Sequence, residues 1–258
     1  MSSNIHSSAI VSPKANLDVN VSIGPYTIIE DKVTIGKGTK IASSVLIANG
    51  AVIGENVNIH HGAVIATEPQ DLKFGGEETR VVIGDGTTVR EYATINRGTV
   101  AHGESSVGKN CLLMAYSHIA HDCILGDNVI MANSVNLAGH IEIGDFAILG
   151  GVLPVHQFVK IGAHAMIGGG FRVQQDVCPY ALVAGYPLRV IGINVIGLKR
   201  RGFTKEVIRN LEKSFKILFF SKLNTSQAVE RIKNEIDLSP EVQEILIFLE
   251  HSQRGIVK

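Results

Sequence analysis

Residues 107–150 have the sequence VGKNCLLMAYSHIAHDCILGDNVIMANSVNLAGHIEIGDFAILG, in which every sixth residue from Val107 to Leu149 is apolar. The same six-residue step runs from Val11 to Val173, where 26 of its 28 positions carry an apolar residue. A period of six fits neither an α-helix nor a simple alternating strand. It is typical of a parallel β-helix, in which each hexapeptide forms one short strand and one turn. The exceptions at positions 71 and 77 are Asp and Glu, and the series then resumes in the same phase.

Three hexapeptides make one triangular coil of eighteen residues, with the aliphatic side chains stacked inside. The composition suits a narrow core, because the chain has 27 glycines, only 5% aromatic residues and no Trp. We therefore predict an all-β solenoid, a parallel β-helix of hexapeptide repeats, over residues 1–190. Two segments interrupt the rhythm, at about 66–80 and 97–106, and we expect them to loop outward, where binding groups are often placed.

After about Asn194 the glycines thin out and the apolar residues follow a helical period. Residues 191–258 are therefore predicted to form a C-terminal α-helical domain. We expect its helices to cover the last coil, whose backbone edge would otherwise be open to aggregation. The predicted boundaries are Thr204 to about Lys222 for one helix, Thr225 or Ser226 for the start of the next, and Ser239-Pro240 to Gly255 for the last.

The charge and the composition exclude several function classes. Lys and Arg number 24 and Asp and Glu number 24, so no net field recruits nucleic acid or an anionic membrane. Apolar runs such as Ile217–Phe220 are too short to span a membrane, and the N-terminus lacks the features of a signal peptide. Cys111, Cys123 and Cys178 have no metal-ligand spacing and are expected to be reduced thiols in a cytoplasmic protein.

Residues eighteen apart should lie above one another, one strand spacing of about 4.8 Å apart. His121, Gly139 and Gln157 are then expected in one column, with Asp122, His140 and Phe158 in the next. This places a His, an adjacent Asp and a second His in a compact polar cluster. The aliphatic series Leu112, Ile130, Ile148 and Met166 is expected to face outward next to this cluster, as a subunit interface or an apolar groove.

Several strings in the chain resemble the UDP-N-acetylglucosamine O-acyltransferases of lipid A biosynthesis, members of the hexapeptide-repeat transferase family. The resemblance extends from about residue 5 to the C-terminus. The strings are HIAHDC at 118–123, LAGH at 137–140, VHQF at 155–158, QDLK at 70–73, RGT at 97–99 and GLKRRGF at 197–203. It implies that the coil of the β-helix is left-handed.

The resemblance also implies a reaction. The family transfers a 3-hydroxyacyl chain from acyl carrier protein to the glucosamine 3-hydroxyl of UDP-N-acetylglucosamine, the first step of lipid A biosynthesis. His121 matches the general base, which takes the hydroxyl proton. Asp122 matches the carboxylate that orients the imidazole, and the Gly139 amide matches the donor to the oxyanion. Direct transfer is implied, without a cysteine nucleophile, a metal or a cofactor.

Further residues are implied to bind substrates. Gly169 matches the position where a bulkier residue would shorten the acyl groove, and two arginines match the nucleotide and carrier-protein side. The family is a homotrimer with active sites between subunits. The implied binding residues are Asp71, Lys73, His118, His140, His156, Gln157, Gly169, Asn194, Arg200 and Arg201.

Two positions depart from the family pattern. Ile196 stands where an acidic residue is frequent, and Asn96 replaces a His that is common before the RGT string. Both are expected near the site where the acceptor is recognised. Transfer to the 3-amino group of a UDP-3-amino-sugar, giving an amide, therefore stays open as an alternative.

Two other interpretations stay open on the residues alone, and a third is disfavoured. His118 and His121 are spaced like zinc ligands of hexapeptide-repeat carbonic anhydrases, with a third His from a neighbouring chain. The β-helix could also be a scaffold without chemistry. The N-acyltransferase of the same pathway carries a domain before its coils, whereas the hexapeptides here begin at Val11.

The remaining histidines are expected to be turn, surface or structural residues. They are His6, His60, His61, His102 and His164.

Overall fold

The computed structural model describes residues 4–258, in which the strands are short and follow one another at each hexapeptide. Their bounds are β1 Asn4–Ile5, β2 Ile10–Val11, β3 Asn16–Leu17, β4 Ser22–Ile23, β5 Ile28–Ile29, β6 Thr34–Ile35, β7 Lys40–Ile41, β8 Leu46–Ile47, β9 Ala51–Ile53, β10 Asn58–Ile59, β11 Val64–Thr67, β12 Arg80–Ile83, β13 Thr88–Val89, β14 Thr94–Asn96, β15 Glu104–Val107, β16 Leu112–Leu113, β17 His118–Ile119, β18 Ile124–Leu125, β19 Ile130–Met131, β20 Val135–Leu137, β21 Glu142–Ile143, β22 Ile148–Leu149, β23 Leu153–Val155, β24 Lys160–Ile161, β25 Met166–Ile167, β26 Ala181–Ala184 and β27 Arg189–Ile193.

The strands form three sheets, and every third strand of the coil belongs to the same sheet. We name each sheet by one outward residue. The Leu112 face is the eleven-stranded sheet containing β16, the His118 face is the eight-stranded sheet containing β17, and the Ile124 face is the eight-stranded sheet containing β18. Neighbouring strands are parallel, except for the last pair, β26 and β27. The predicted hexapeptide β-helix of parallel sheets with C-terminal helices is therefore confirmed.

The register explains why the six-residue phase survives both interruptions. Within the regular coils the paired residues are eighteen apart, as in Ser22 and Lys40. Across the first loop Asn58 pairs with Thr88, thirty residues on, and across the second Thr88 pairs with Leu112, twenty-four residues on. The insertions are thus twelve and six residues, which are both multiples of six.

The core is the inside of the prism. Two residues of each hexapeptide, two positions apart, are buried, as with Val33 and Ile35. The inward aliphatic residues Ile29, Ile47, Ile65, Ile95 and their equivalents form a single buried cluster along the coil. The outward residue of each two-residue strand is half-buried or exposed, as in the pattern of Ile124 and Leu125. A six-residue period therefore places one aliphatic residue and one further small or β-branched residue inside, per face and per coil.

The corners of the coil require a left-handed backbone. Seventeen non-glycine residues among 4–258 have φ between 53° and 68°. Sixteen of them lie at corners, in regular columns, and the other, Ala66, lies in β11 where the register shifts. At another corner position the backbones of successive coils approach closely: a Cβ built on Gly108 would lie 2.4 Å from the carbonyl carbon of Gly126. This explains why a glycine so often follows the inward aliphatic residue.

Both predicted loops are present, with shorter bounds than expected. The first occupies residues 68–79, between β11 and β12, and the second occupies 97–103, between β14 and β15. Residues 104–106 were expected in the second loop, but they belong to β15, which pairs with β12 from Arg80 to Ile83. Their sequence, Glu-Ser-Ser, is polar and gave no strand signal.

The C-terminal helices have the bounds α1 Val195–Arg200, α2 Lys205–Phe220, α3 Thr225–Glu235 and α4 Pro240–His251. Thr204 caps α2, as predicted, and Asn224 caps α3. The prediction that Gly255 ends the last helix is wrong, because α4 ends at His251 and Ile256 returns to form a bridge with Asp176. The division predicted between residues 190 and 191 falls inside β27, so the helical part begins at Val195.

The helices pack on the last coils through an aromatic ladder. The rings of Phe146 and Tyr180 stack on the two sides of His164, at centroid distances of 5.0 and 5.5 Å. Phe203 meets His164 edge-on at 5.0 Å, and the Tyr180 hydroxyl donates to Glu244 of α4. No helix among residues 4–258 is long and apolar enough to cross a membrane.

Candidate active site

The polar cluster lies at the corner between the His118 face and the Ile124 face. The predicted columns are confirmed: a Cβ built on Gly139 would lie 2.6 Å from Cε1 of His121. Asp122, His140 and Phe158 occupy successive corners, with φ values of 59°, 61° and 64°. The coil thus places side chains from three successive turns in one cluster.

His121 and Asp122 form the closest pair in this cluster. Nδ1 of His121 lies 2.7 Å from Oδ2 of Asp122, whose side chain is completely buried. An ionised carboxylate only accepts hydrogen bonds, so Nδ1 carries the proton and donates it. The lone pair of Nε2 is then available to accept a proton from another molecule.

The carboxylate of Asp122 is held ionised by its surroundings. Burial by itself raises its pKa, but hydrogen bonds from His121 and Thr99 outweigh this, and the pKa lies below its ordinary value. The Thr99 amide donates to Oδ1 at 2.9 Å and the Thr99 hydroxyl to Oδ2 at 2.7 Å. The Asp122 amide in turn donates to Oγ of Ser105 at 2.8 Å. Asp122 is thus an anion whose two carboxylate oxygens are both held by hydrogen bonds.

The amide of Gly139 is an available hydrogen-bond donor. At the equivalent corner positions Lys109 and Asp127, the amide donates to an aspartate carboxylate of the next coil. The next coil places Gln157 above Gly139, and the Gly139 amide donates to no residue among 4–258. This N–H lies beside the His121 ring, so it can bind a developing negative charge next to the base.

His140 joins the two loops to the His121–Asp122 pair. Its Nδ1 lies 3.8 Å from Oδ2 of Asp122, and its ring stacks on Phe158 at 4.5 Å. Burial lowers the pKa of His140, although the negative charges of Asp122 and Asp71 act to raise it. The first loop thus contributes a negative charge to the surroundings of this ring. A neutral imidazole here can donate or accept a hydrogen bond from a substrate.

His102 was expected to be only a turn or surface residue. It is exposed, but its ring centroid lies 5.8 Å from that of His140, so it borders the site. Its position depends on the path of the second loop, which has no periodicity. Nothing in the sequence pattern could have placed it there.

The other histidine and amide candidates line the same side of the coil. His118 points out from the His118 face, with Nδ1 2.7 Å from Oγ1 of Thr94, and burial lowers its pKa. His156 is half-buried, with Nδ1 3.1 Å from the carbonyl oxygen of Gln157, and Gln157 is exposed. In the first loop Lys73 is exposed and its amide donates to Asp71 at 3.0 Å.

Asn194, Arg201 and Gly169 have structural roles that the sequence did not reveal. Asn194 is buried; its side chain caps α1 by accepting from Gly197 and donates to the His164 carbonyl oxygen at 3.0 Å. Arg201 donates to the Phe146 carbonyl oxygen at 3.0 Å and stacks on the Phe146 ring, and burial lowers its pKa. A Cβ built on Gly169 would lie 2.8 Å from the carbonyl oxygen of Gly151, so the backbones approach closely there. Arg200, in contrast to Arg201, is exposed.

Asn96 and Arg97 anchor the first loop. Nδ2 of Asn96 donates to Oγ1 of Thr67 and to the Glu68 carbonyl oxygen, both at 3.0 Å. The guanidinium of Arg97 lies over the Phe74 ring at 5.3 Å and pairs with Glu68 at 3.3 Å. The departure from the family pattern at residue 96 therefore lies at the base of the loop that carries Asp71 and Lys73.

The apolar column was expected beside the cluster and is not. Leu112, Ile130, Ile148 and Met166 stack on the Leu112 face, as their register shows. The His121 corner joins the other two faces, so it lies on the opposite side of the triangular prism. The expectation failed because it used the spacing of eighteen without assigning each column to a face.

One group among residues 4–258 has the composition of a metal site: one ligand atom each from His121, Asp122 and His140 lie within 4.8 Å of one another. His118, which the zinc interpretation paired with His121, is not in this group. His118 lies on the flat of its face and His121 at the corner. The zinc interpretation takes its third ligand from a neighbouring chain, so it stays a prediction.

Comparisons with known proteins agree on one family. The family model described as UDP N-acetylglucosamine O-acyltransferase, domain 2, matches residues 176–257, and the bacterial transferase hexapeptide model matches 104–139. The acyl-[acyl-carrier-protein]--UDP-N-acetylglucosamine O-acyltransferase of Trichlorobacter lovleyi is 53% identical, over 98% of this chain and 99% of its own length. The protein of the same name from Thermodesulfovibrio yellowstonii is 47% identical with the same coverage.

Solved structures give the same result. A UDP-N-acetylglucosamine acyltransferase from Bacteroides fragilis superposes with a TM-score of 0.97 at 43% identity, over 98% of this chain and 99% of that chain. The enzyme of Francisella novicida superposes with a TM-score of 0.95 at 39% identity, over 98% and 93%. The similarity thus covers the coil, both loops and the helices.

Proposed function

Since this chain belongs to the UDP-N-acetylglucosamine O-acyltransferase family, we propose that it transfers a 3-hydroxyacyl chain from acyl carrier protein to the glucosamine 3-hydroxyl of UDP-N-acetylglucosamine, the first step of lipid A biosynthesis. The chain is an acyltransferase. The observation that carries our proposal for its mechanism is the His121–Asp122 pair beside the unbonded amide of Gly139.

His121 acts as the general base. Its Nε2 takes the proton of the acceptor hydroxyl as the oxygen attacks the thioester carbonyl, and Asp122 stabilises the resulting imidazolium through Nδ1. The Gly139 amide donates to the oxyanion of the tetrahedral intermediate. When the intermediate collapses, the C–S bond breaks and the imidazolium returns the proton to the thiolate of the carrier protein. No acyl-enzyme is formed.

The three cysteines are poor candidates for a nucleophile, because burial keeps their thiols protonated. Cys123 is buried and burial raises its pKa to about 12. Burial likewise raises the pKa of Cys111 and Cys178. Because the thiolate is the reactive form, these side chains are inert near neutral pH. This supports direct transfer to the acceptor.

The binding residues divide into three groups in our proposal, with Gly169 apart from them. Asp71 and Lys73 contact the sugar from the first loop, while His118, His140, His156 and Gln157 line the acceptor and donor pocket. Arg200 and Arg201 lie on the nucleotide and carrier-protein side, next to Asn194. Asn194 does this indirectly, because its side chain already caps α1. Arg201 uses only Nη2 on the Phe146 carbonyl oxygen, and its buried Nη1 has no hydrogen-bond partner among residues 4–258. Gly169 leaves the acyl groove open at one end.

We further infer a homotrimer, a left-handed coil and a cytoplasmic location. The trimer is supported by the face assignment: within one chain the Leu112 face lies opposite the His121 corner. A neighbouring copy can bring its apolar column next to that corner and bury it. The donor acyl chain would then lie between two subunits.

A 3-amino acceptor is the second candidate. Asn96 and Ile196 are the positions that depart from the family pattern, and Ile196 is 67% exposed on α1. Asn96 holds the base of the first loop, where a change would shift Asp71 and Lys73. The same base and oxyanion donor would serve an amine, with an amide as product.

The test is a transfer assay with purified protein, 3-hydroxyacyl carrier proteins of several lengths, and either UDP-N-acetylglucosamine or its 3-amino analogue, with products identified by mass spectrometry. We expect product from the ordinary UDP-sugar and a loss of roughly 10²- to 10⁴-fold in His121→Ala. His6→Ala, which changes an exposed histidine of the first coil, is the matched control and should keep full activity.

Each other outcome has a defined meaning. Product from the amino analogue alone would keep the mechanism and change the acceptor. No product from either sugar would contradict the proposed reaction and favour the zinc or scaffold interpretations.

A further inference from the structure

We propose that Thr99, in the second loop, is a positioning residue that directs the carboxylate of Asp122 to His121 and away from His140. The inference rests on the proposed function, in which His121 is the base. Thr99 touches no substrate in this role and acts only through Asp122.

The geometry of the carboxylate carries the inference. Asp122 lies between two imidazoles, with Oδ2 at 2.7 Å from Nδ1 of His121 and 3.8 Å from Nδ1 of His140. A free carboxylate could rotate about its Cβ–Cγ bond and pair with either ring. The Thr99 amide binds Oδ1 and the Thr99 hydroxyl binds Oδ2, so two donors from one residue fix the carboxylate plane.

The hydroxyl of Thr99 has a defined direction. Its oxygen accepts from the Ala101 amide at 3.2 Å, so its proton is free to point at Asp122. Both residues are nearly inaccessible, with Thr99 8% and Asp122 1% exposed. Hydrogen bonds to a buried charged group are stronger than those between neutral groups, and leaving one unmade is costly.

The neighbours of Thr99 are arranged to hold it rigidly. A Cβ on Gly98 would lie 2.4 Å from the amide nitrogen of Glu104, so the chain passes too close to β15 for any side chain. The Gly103 amide donates to the Thr99 carbonyl oxygen at 2.7 Å and closes the loop. Each residue of the RGT string thus has its own task, and Thr99 is the one that faces the carboxylate.

The same segment connects the two loops. Arg97 contacts Phe74 and Glu68 of the first loop, two residues before Thr99 reaches Asp122. The loop that carries Asp71 and Lys73 is therefore tied to the residue that orients the catalytic carboxylate. The segment that contains Thr99 therefore links the position of the first loop to the orientation of the base.

The experiment measures kcat and KM for Thr99→Val, which keeps the shape and the amide but removes the hydroxyl. We expect kcat to fall roughly 10- to 100-fold with KM little changed, because a hydrogen bond to a charged group is lost. Thr99→Ser should restore most of the rate. Thr87→Val, at a buried threonine whose hydroxyl donates to the Gly108 carbonyl oxygen, is the matched control and should keep the wild-type kcat.

A double-mutant cycle separates positioning from a structural role. In an Asp122→Asn background, measured at high enzyme concentration, Thr99→Val should cost much less than in the wild type, since both act through the same carboxylate. Full additivity, or a Thr99→Val enzyme with the wild-type kcat, would overturn the inference. A loss that appears equally in Thr87→Val would also overturn it, as a stability effect.

The failure of this inference is distinguishable from that of the proposed function. Loss of transfer in His121→Ala together with full activity in Thr99→Val would reject Thr99 alone. Full transfer in His121→Ala would reject the base and, with it, the role of Thr99.

Discussion

Asp122 carries its carboxylate at a corner of the coil, where the backbone is left-handed. For a residue with a side chain this conformation costs about 1–2 kcal/mol. His140 and Phe158 have the same conformation at the next two corners. The rigid coil offsets this cost and directs all three side chains along one edge, which places the carboxylate between two imidazoles.

The contact between Gly139 and His121 gives a prediction for a single methyl group. Gly139→Ala places a Cβ 2.6 Å from Cε1 of His121, so the ring must move. The amide of residue 139 stays in place, yet we expect kcat to fall about 100-fold, because the proposed base loses its alignment when it is displaced by about 1 Å. Steady-state kinetics with acyl carrier protein measures this.

Gly75→Ala is the control for this prediction, because its new Cβ would lie 3.7 Å from Oε1 of Glu77, an ordinary contact. We expect its thermal unfolding temperature and its kcat to match those of the wild type. An active Gly139→Ala enzyme would show that the His121 ring has room to move without loss of function.

For single residues, the sequence predicts those positions that follow the eighteen-residue repeat of the coil. The eighteen-residue step placed His121 beside Gly139 and Asp122 beside His140 without any coordinate. It did not place Thr99 or His102, because the second loop leaves the repeat and its path is set by contacts such as that of Gly98 with Glu104. Only the RGT string indicated that something there mattered.

Among the secondary-structure elements, α4 is joined to the coil by a polar pair inside an apolar contact. The Tyr180 hydroxyl donates to Glu244, and burial raises the pKa of both groups. A glutamate whose pKa is raised in the folded state contributes stability that is fully present below its unfolded pKa. That contribution is lost as the pH rises through the folded pKa.

We therefore expect Glu244→Gln to raise the thermal unfolding temperature at pH 8. A glutamine oxygen still accepts from Tyr180 and carries no charge to desolvate. The gain should shrink as the pH falls towards 4, where Glu244 of the wild type is protonated. Calorimetric scans of both proteins at several pH values measure the difference, and a constant difference at all pH values would contradict this account.

Helix starts were easier to predict than helix ends. Thr204 and Pro240 mark their helices by local chemistry, a side-chain cap and a fixed φ. Gly255 looked like a helix end, but it has φ of 68° in the turn that returns the chain to Asp176. A long-range bridge decides that position, and local sequence does not contain it.

Across the whole molecule, the outward side of the Leu112 face changes character along the coil. Ser22, Lys40, Asn58 and Thr88 give way to Leu112, Ile130, Ile148 and Met166. The second half of this face is the part that a neighbouring subunit would bury. The switch is visible in the sequence, but its position opposite the His121 corner required the order of the three faces.

Ile130→Lys tests the assembly. A lysine in the middle of this apolar column would be buried without a partner at the proposed interface, so we expect the proposed trimer to dissociate and transfer to be lost. Light scattering after gel filtration measures the mass. Ile124→Lys is the matched control, because Ile124 is 42% exposed on another face, and its mass and activity should be unchanged. An active monomer of Ile130→Lys would contradict a site shared between subunits.

The left-handed corners also have a stereochemical consequence. At Tyr116, with φ of 61°, an L-amino acid adopts a conformation that its mirror image would prefer. A chain assembled by chemical ligation could therefore carry D-amino acids at such corners and fold with less strain than the natural one. The chirality that ribosomal synthesis imposes on every residue is, at these corners, the unfavourable choice for the backbone.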